Sequence, residues 1–158
     1  MKPQDHLHLH GVKQFYIDTE REEWKIDILC DLYDSIDISQ SIIYCKTPAK
    51  VEWLKSKMEE KGFAVSAMHG GMSYEERISI AKKYQSGALR AMITTFEKGE
   101  LESRFSPACF SVLYELPRVR DQYMECIGGA GAFGRKDLAI VFRVTLPNLT
   151  SSSIPMSK

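Results

Sequence analysis

The sequence predicts an α/β domain, a parallel sheet with helices on both faces. Short apolar runs of strand length alternate along the chain with segments of helical period, the mark of strand–helix–strand units. Runs such as Ser41-Ile-Ile-Tyr-Cys45 are apolar at successive positions, which suits strands covered on both faces. A length of 158 residues, 44% hydrophobic and 27% charged, suits one domain that buries roughly two-thirds of its unfolded surface.

The elements follow in order. Val12-Lys-Gln-Phe-Tyr-Ile-Asp18 has the aromatic and β-branched content of a strand. Thr19-x-x-Glu22 reads as a capping box opening a helix, with Trp24, Ile28, Leu29 and Leu32 on its apolar face. After the Ser41–Cys45 strand, Thr47 and Pro48 stand as N-cap and first residue of a helix whose stripe is Val51, Leu54 and Met58, ended by Gly62. Phe63–Met68 is the next strand. Ser73-x-x-Glu76 is a second capping box, and Ile78, Ala81 and Gln85 step along a helix stopped near Gly87. Leu89–Thr94 and Phe110–Tyr114 are further strands, a helix covers about 118–127, and Leu138–Val144 closes the sheet. Residues 1–10 and 146–158 read as flexible arms around a folded unit of 11–145.

Composition narrows the function. Lys+Arg and Asp+Glu both number 21, so no global positive field attracts nucleic acid. No apolar run approaches membrane-spanning length, and the first residues lack a secretory core, so a cytoplasmic or nuclear place is expected. Four scattered cysteines without a C-x-x-C pair read as reduced thiols. His6, His8 and His10 read as a solvated arm rather than a metal site, and His69 as a structural hydrogen-bonder. Trp24 and Trp53 are expected in the core. Cys126 has no histidine placed by sequence to activate it.

Gly129-Ala-Gly-Ala-Phe-Gly134 is a literal G-x-G-x-x-G. A dinucleotide loop follows a strand and opens a helix, presenting free N–H groups to the pyrophosphate. Here the expected order is reversed, with a helix before and a strand after, so the glycines have another origin.

Several separated stretches resemble, in order, the second RecA-like domain of DEAD-box RNA helicases of the initiation factor 4A type. They are Val12-Lys-Gln-Phe-Tyr16, Glu20-Arg-Glu-Glu-Trp-Lys25, Leu29-Cys-Asp-Leu-Tyr33, Val51-Glu-Trp-Leu54, Ser66-Ala-Met-His-Gly70, Ile93-Thr-Thr95 and Phe133-Gly-Arg-Lys136. The resemblance implies a RecA-like three-layer fold. It also implies that the glycine-rich segment corresponds to His-Arg-Ile-Gly-Arg-x-Gly-Arg-Phe-Gly, whose arginines reach the ATP phosphates. At those positions stand Glu125, Cys126, Gly129 and Ala132. Phe96 stands where the family has Asp, Pro48 and Ala49 where it has basic residues, Gly71 for Asp and Tyr74 for Gln. An arginine finger contributes about 10³–10⁵ in rate, and glycine or alanine supplies no charge. Neither G-x-x-x-x-G-K-S/T nor Asp-Glu-Ala-Asp occurs.

On these grounds the expectation is a catalytically inactive helicase-like domain, not an enzyme, with no nucleotide site and no cofactor. It would work as a protein-interaction module in RNA metabolism or translation. It would compete with an initiation factor 4A-like helicase for a scaffold partner, such as a HEAT-repeat protein. Leu146–Pro155 in place of a closing helix suggests an apolar edge covered by a partner or by a second copy. Two alternatives stand beside this. One is a residual single-stranded RNA module, because Thr47, Gly70, Arg77 and Thr95 match positions where the family touches RNA backbone. RNA binding is expected to be weak or absent with the neighbouring basic residues gone. The other is the C-terminal half of a longer ATP-dependent RNA helicase.

Overall fold

In the computed structural model, which describes residues 13–35, 40–97, 110–130 and 138–144, six strands form one sheet. They are β1 (Lys13–Thr19), β2 (Ser41–Cys45), β3 (Val65–Met68), β4 (Ala91–Thr95), β5 (Phe110–Leu113) and β6 (Leu138–Val144). Their order is β1-β6-β5-β2-β4-β3, and every adjacent pair is parallel. The helices are α1 (Lys25–Ser35), entered through a 3₁₀ turn at Glu22–Trp24, α2 (Pro48–Glu60), α3 (Tyr74–Gln85) and α4 (Arg120–Ala130).

Alternation along the strands sorts the core into two sides, because successive side chains point to opposite faces. Ile43, Cys45, Ile93, Val112 and Phe142 face α1 and α2 and pack with Leu29, Tyr33, Val51, Leu54 and Met58 in one continuous cluster. On the other face Tyr44, Leu113, Ala139 and Val141 meet Tyr123, Cys126 and Ile127 of α4. Met68 and Met92 meet Ala81 and Tyr84 of α3 in a separate cluster. The fold is the expected RecA-like three-layer arrangement.

Most starts and stops follow the sequence. The Thr47 hydroxyl accepts the Lys50 N–H at 3.1 Å, with Pro48 at the first turn of α2. Ser73 and Glu76 form both halves of the capping box on α3. Gly62 and Gly87 take φ of +90° and +86° past their helices, a region that glycine enters without strain.

Four expectations fail. Thr19 does not cap a helix: it is the last residue of β1, paired with Val144, and its hydroxyl donates to the Arg143 carbonyl at 3.5 Å. Sheet pairing claims the residue before a helix can use it. Trp24 and Trp53 are exposed rather than core; each lies under a cation, Arg21 at 5.9 Å and Lys50 at 4.4 Å from the ring centroid. Gln85 is exposed, and Tyr84 takes the buried place beside Ala81. The helix expected to end near 127 continues through Gly129 to Ala130. The arms at 1–10 and 146–158, with His6, His8 and His10, lie outside the described residues. Among the described residues no cluster could hold a metal ion, and no helix is long and apolar enough to cross a membrane.

Candidate nucleic-acid interface

A wholly parallel sheet delivers every strand-to-helix loop to the same edge, the edge where open α/β sheets bind ligands. Three of the four candidate RNA residues sit there, at or just beyond the ends of adjacent strands. Thr95 ends β4, with Cys45 of β2 opposite it, and Met68 of β3 pairs with Thr94. Thr47 and Gly70 each lie two residues beyond their strands. With neighbouring strands about 4.8 Å apart, the three strand ends span only about 10 Å. Arg77, the fourth, is half-buried one turn into α3.

Each group is held by a local device. Thr47 is exposed, and capping uses its oxygen as acceptor, which leaves the hydroxyl hydrogen for an outside acceptor. The Lys46 N–H just before it donates to Glu115 Oε1 at 2.7 Å, tying this loop to the end of β5. Lys25 is buried; its Nζ donates to the Tyr114 carbonyl at 2.8 Å and pairs with Glu22 at 3.1 Å. Thr95 is buried, and its hydroxyl donates to the Glu97 carbonyl at 3.5 Å. Gly70 is exposed, with open space where a Cβ would stand.

His69 organises the loop after β3. Its Nδ1 accepts the Gly71 N–H at 3.1 Å, which leaves Nε2 to carry the proton and donate to Glu52 Oε2 at 2.8 Å. The Met72 N–H closes the turn onto the His69 carbonyl at 3.1 Å. A Cβ on Gly71 would come within 3.2 Å of the imidazole, so the ring's position favours glycine. The structural reading of His69 fits this geometry. Its partner Glu52 escapes sequence reasoning, and so does Glu115; both bonds join residues on different strand–helix units. The only sequence signal is a carboxylate one turn into the preceding helix.

Of the glycine-rich segment, residues 131–134 lie outside the described residues. Glu125 is exposed, Cys126 is buried, Gly129 lies in the last turn of α4, and Ala132 is outside the described residues. The Cys126 carbonyl accepts from Ser111 Oγ at 3.4 Å. Phe96 stacks on Tyr44, ring centroids 6.1 Å apart and planes 6° from parallel, in the same cluster as Cys126 and Ile127. Two positions where the resemblance places charged side chains therefore contribute to one apolar contact. Burial pushes the Cys45 thiol well above its ordinary value, with Glu115 adding to the effect, so it stays protonated.

Sheet order and wholly parallel pairing, with helices on both faces, define a RecA-like α/β domain. The helicase conserved C-terminal domain family matches residues 24–100. Eukaryotic initiation factor 4A-3 of Nicotiana plumbaginifolia is 46% identical over 140 residues, 87% of this chain and 35% of that protein. The solved C-terminal domain of the DEAD-box protein Dbp5 superposes with a TM-score of 0.76 at 31% identity, covering 85% of this chain and 78% of that one. S. cerevisiae Dbp5 bound to RNA and ADP BeF3 matches with a TM-score of 0.75 at 30% identity, over 85% of this chain and 36% of that one. Dbp5 is also seen bound to Nup159, Gle1, IP6 and ADP, with a TM-score of 0.75 at 30% identity, over 87% and 36% of the two chains. The chain belongs to the C-terminal RecA-like domain family of DEAD-box RNA helicases.

This relatedness corrects the expectation that the chain is not an enzyme. Close identity to an initiation factor 4A points to part of a helicase. The chain spans about a third of that relative's length, so the lack of G-x-x-x-x-G-K-S/T and Asp-Glu-Ala-Asp in it decides nothing about activity. At the positions that the resemblance assigns to arginines the chain carries the uncharged Cys126, Gly129 and Ala132, while Thr47, Gly70, Arg77 and Thr95 match that pattern. Protein partners occur in this family, as the Dbp5 complex with Nup159 and Gle1 shows.

Proposed function

We propose that the chain serves as the C-terminal half of an ATP-dependent RNA helicase, holding the backbone of single-stranded RNA at the carboxyl edge of its sheet. One observation carries this: Thr47, Gly70 and Thr95 cluster at the ends of three adjacent strands, with Arg77 one turn into the neighbouring helix. Gly70 gives a phosphate close access to backbone, Thr47 offers a hydroxyl, and Arg77 supplies the charge. The Dbp5 structure with RNA and ADP BeF3 supports the reading. ATP and its metal would be held chiefly by a second RecA-like domain outside this chain, in a cytoplasmic or nuclear setting. Residues 11–145 form the working unit in this reading, with 1–10 and 146–158 as arms.

Fluorescence anisotropy with a labelled single-stranded RNA at low salt tests it. Arg77→Ala should weaken binding several-fold and reduce the salt slope by about 0.7, the change expected for one lost phosphate contact. Thr47→Ala should weaken binding without changing the slope. Affinities equal to that of the unaltered chain in both variants would overturn the proposal.

A second reading concerns proteins. The Dbp5 complexes support a docking surface on this domain, and a HEAT-repeat scaffold of the translation or mRNA-processing type is the class that the initiation factor 4A resemblance favours. Pull-down with such a scaffold, and light scattering for self-association, separate the occupants.

A further inference from the structure

Phe15, Trp24, Trp53, Tyr74 and Val119 are the large apolar side chains left exposed among the described residues, and Tyr74 is the most exposed at 57%. Scattered exposure of this kind is ordinary, and most of these have a local reason. Trp24 and Trp53 lie under Arg21 and Lys50, and Phe15 sits on an edge strand. Tyr74 has none: among the described residues its ring takes part in no hydrogen bond, ion pair or ring contact, although it opens α3.

Its backbone is nonetheless fixed from both sides. The Gly71 N–H bond to His69 and the Met72 N–H bond to the His69 carbonyl hold the turn before it. The Ser73–Glu76 capping box, with bonds of 3.1 and 3.0 Å, fixes the first turn that contains it. Arg77 follows at i+3, so the two side chains share a face of the helix. An unengaged aromatic ring is thus presented on a rigid turn at the carboxyl edge, beside an arginine and an open Gly70.

We propose that Tyr74 is a base-stacking platform: an unpaired base of single-stranded RNA lies on its ring while the adjoining phosphate meets Arg77. The inference rests on the RNA reading above and adds a base contact to its backbone contacts. Stacking tolerates any base, since each has a π-face, and larger purine faces gain more.

The test uses the 158-residue chain and labelled single strands of about ten nucleotides, one adenine-rich and one uracil-rich. Tyr74→Ala, at a solvent-exposed helical position where alanine is favourable, should weaken binding about tenfold and leave the salt slope unchanged. Tyr74→Trp should retain binding, and the preference for the adenine-rich strand should shrink in Tyr74→Ala. If Tyr74→Ala binds like the unaltered chain while Arg77→Ala weakens binding, the stacking site is wrong and the backbone reading survives. If neither variant changes binding, or the unaltered chain binds neither strand, the RNA reading falls and the stacking site with it.

Discussion

The two faces of the sheet are built differently. On the α1–α2 face one cluster runs from Phe142 of β6 across the strands to Val65 and Ala67 of β3. Among the described residues the other face carries two clusters, one under α4 and one under α3, which share partly buried Ile42. A continuous core opens as a unit, whereas a divided one lets each helix open alone. Both Arg77 and Tyr74 ride on α3, the helix resting on the smaller cluster. The surface proposed to meet RNA is thus partly attached to the less cooperative side of the molecule.

The largest expected effect tests that contrast directly. Leu54 is fully buried in the continuous cluster, and Leu54→Ala should cost about 2–5 kcal/mol. Hydrogen exchange should then speed up across the whole sheet. Tyr84→Ala, beneath α3, should speed exchange mainly within 74–85. Uniform acceleration in both variants would mean that the faces are one cooperative unit.

Alkaline pH presses chiefly on the continuous face. Burial raises Tyr33, Cys45 and Tyr114 there above their ordinary values, and Tyr44 on the other face likewise. The sign is set by where the proton is held more tightly. In the folded chain these groups stay neutral at pH values where the unfolded chain ionises, so unfolding is favoured as pH rises. Stability should be intact below the ordinary thiol value of 9.0 and fall once pH passes the ordinary phenol value of 10.0. Thermal melts across this range check it; a melting temperature that stays level above the phenol value would contradict the burial of these hydroxyls.

The smallest effect compares the two caps. Thr47→Ala and Ser73→Ala each remove a side-chain acceptor at a helix start, costing about 1 kcal/mol. On the continuous face the cost should appear in the global denaturation midpoint. On the divided face it should appear first as faster exchange in the opening turn of α3. Identical behaviour would erase the distinction.

What can be read in the sequence follows the range of the interactions. Thr47-Pro48 and Ser73-x-x-Glu76 act within four residues, and both caps form where the pattern places them. Thr19-x-x-Glu22 carries an equally good pattern, yet Thr19 lies in a seven-residue ladder with β6 that no local window contains. Helical period puts Trp24 and Trp53 beside apolar stripes, which reads as core. Which stripe meets the sheet is decided by Leu29, Tyr33, Val51 and Leu54 together. At the candidate site the positions of Thr47, Gly70 and Thr95 follow once a parallel sheet is inferred. The Glu52–His69 and Glu115–Lys46 bonds do not, because they form only after separate strand–helix units are set side by side.

The order β1-β6-β5 has a consequence for the chain while it is being made. β6 is the neighbour strand of β1, and Asp18 is held by a two-point bond from Arg143 at 2.7 and 3.0 Å, across a separation of 125 residues. At a synthesis rate of about 5–20 residues per second, β1 waits roughly 6–25 seconds for its neighbour to be made. Over that interval Phe15, Tyr16 and Ile17 have no sheet to join. Of these six strands β1 is the earliest made and among the last paired, and the nascent chain carries an unpaired apolar segment until β6 emerges.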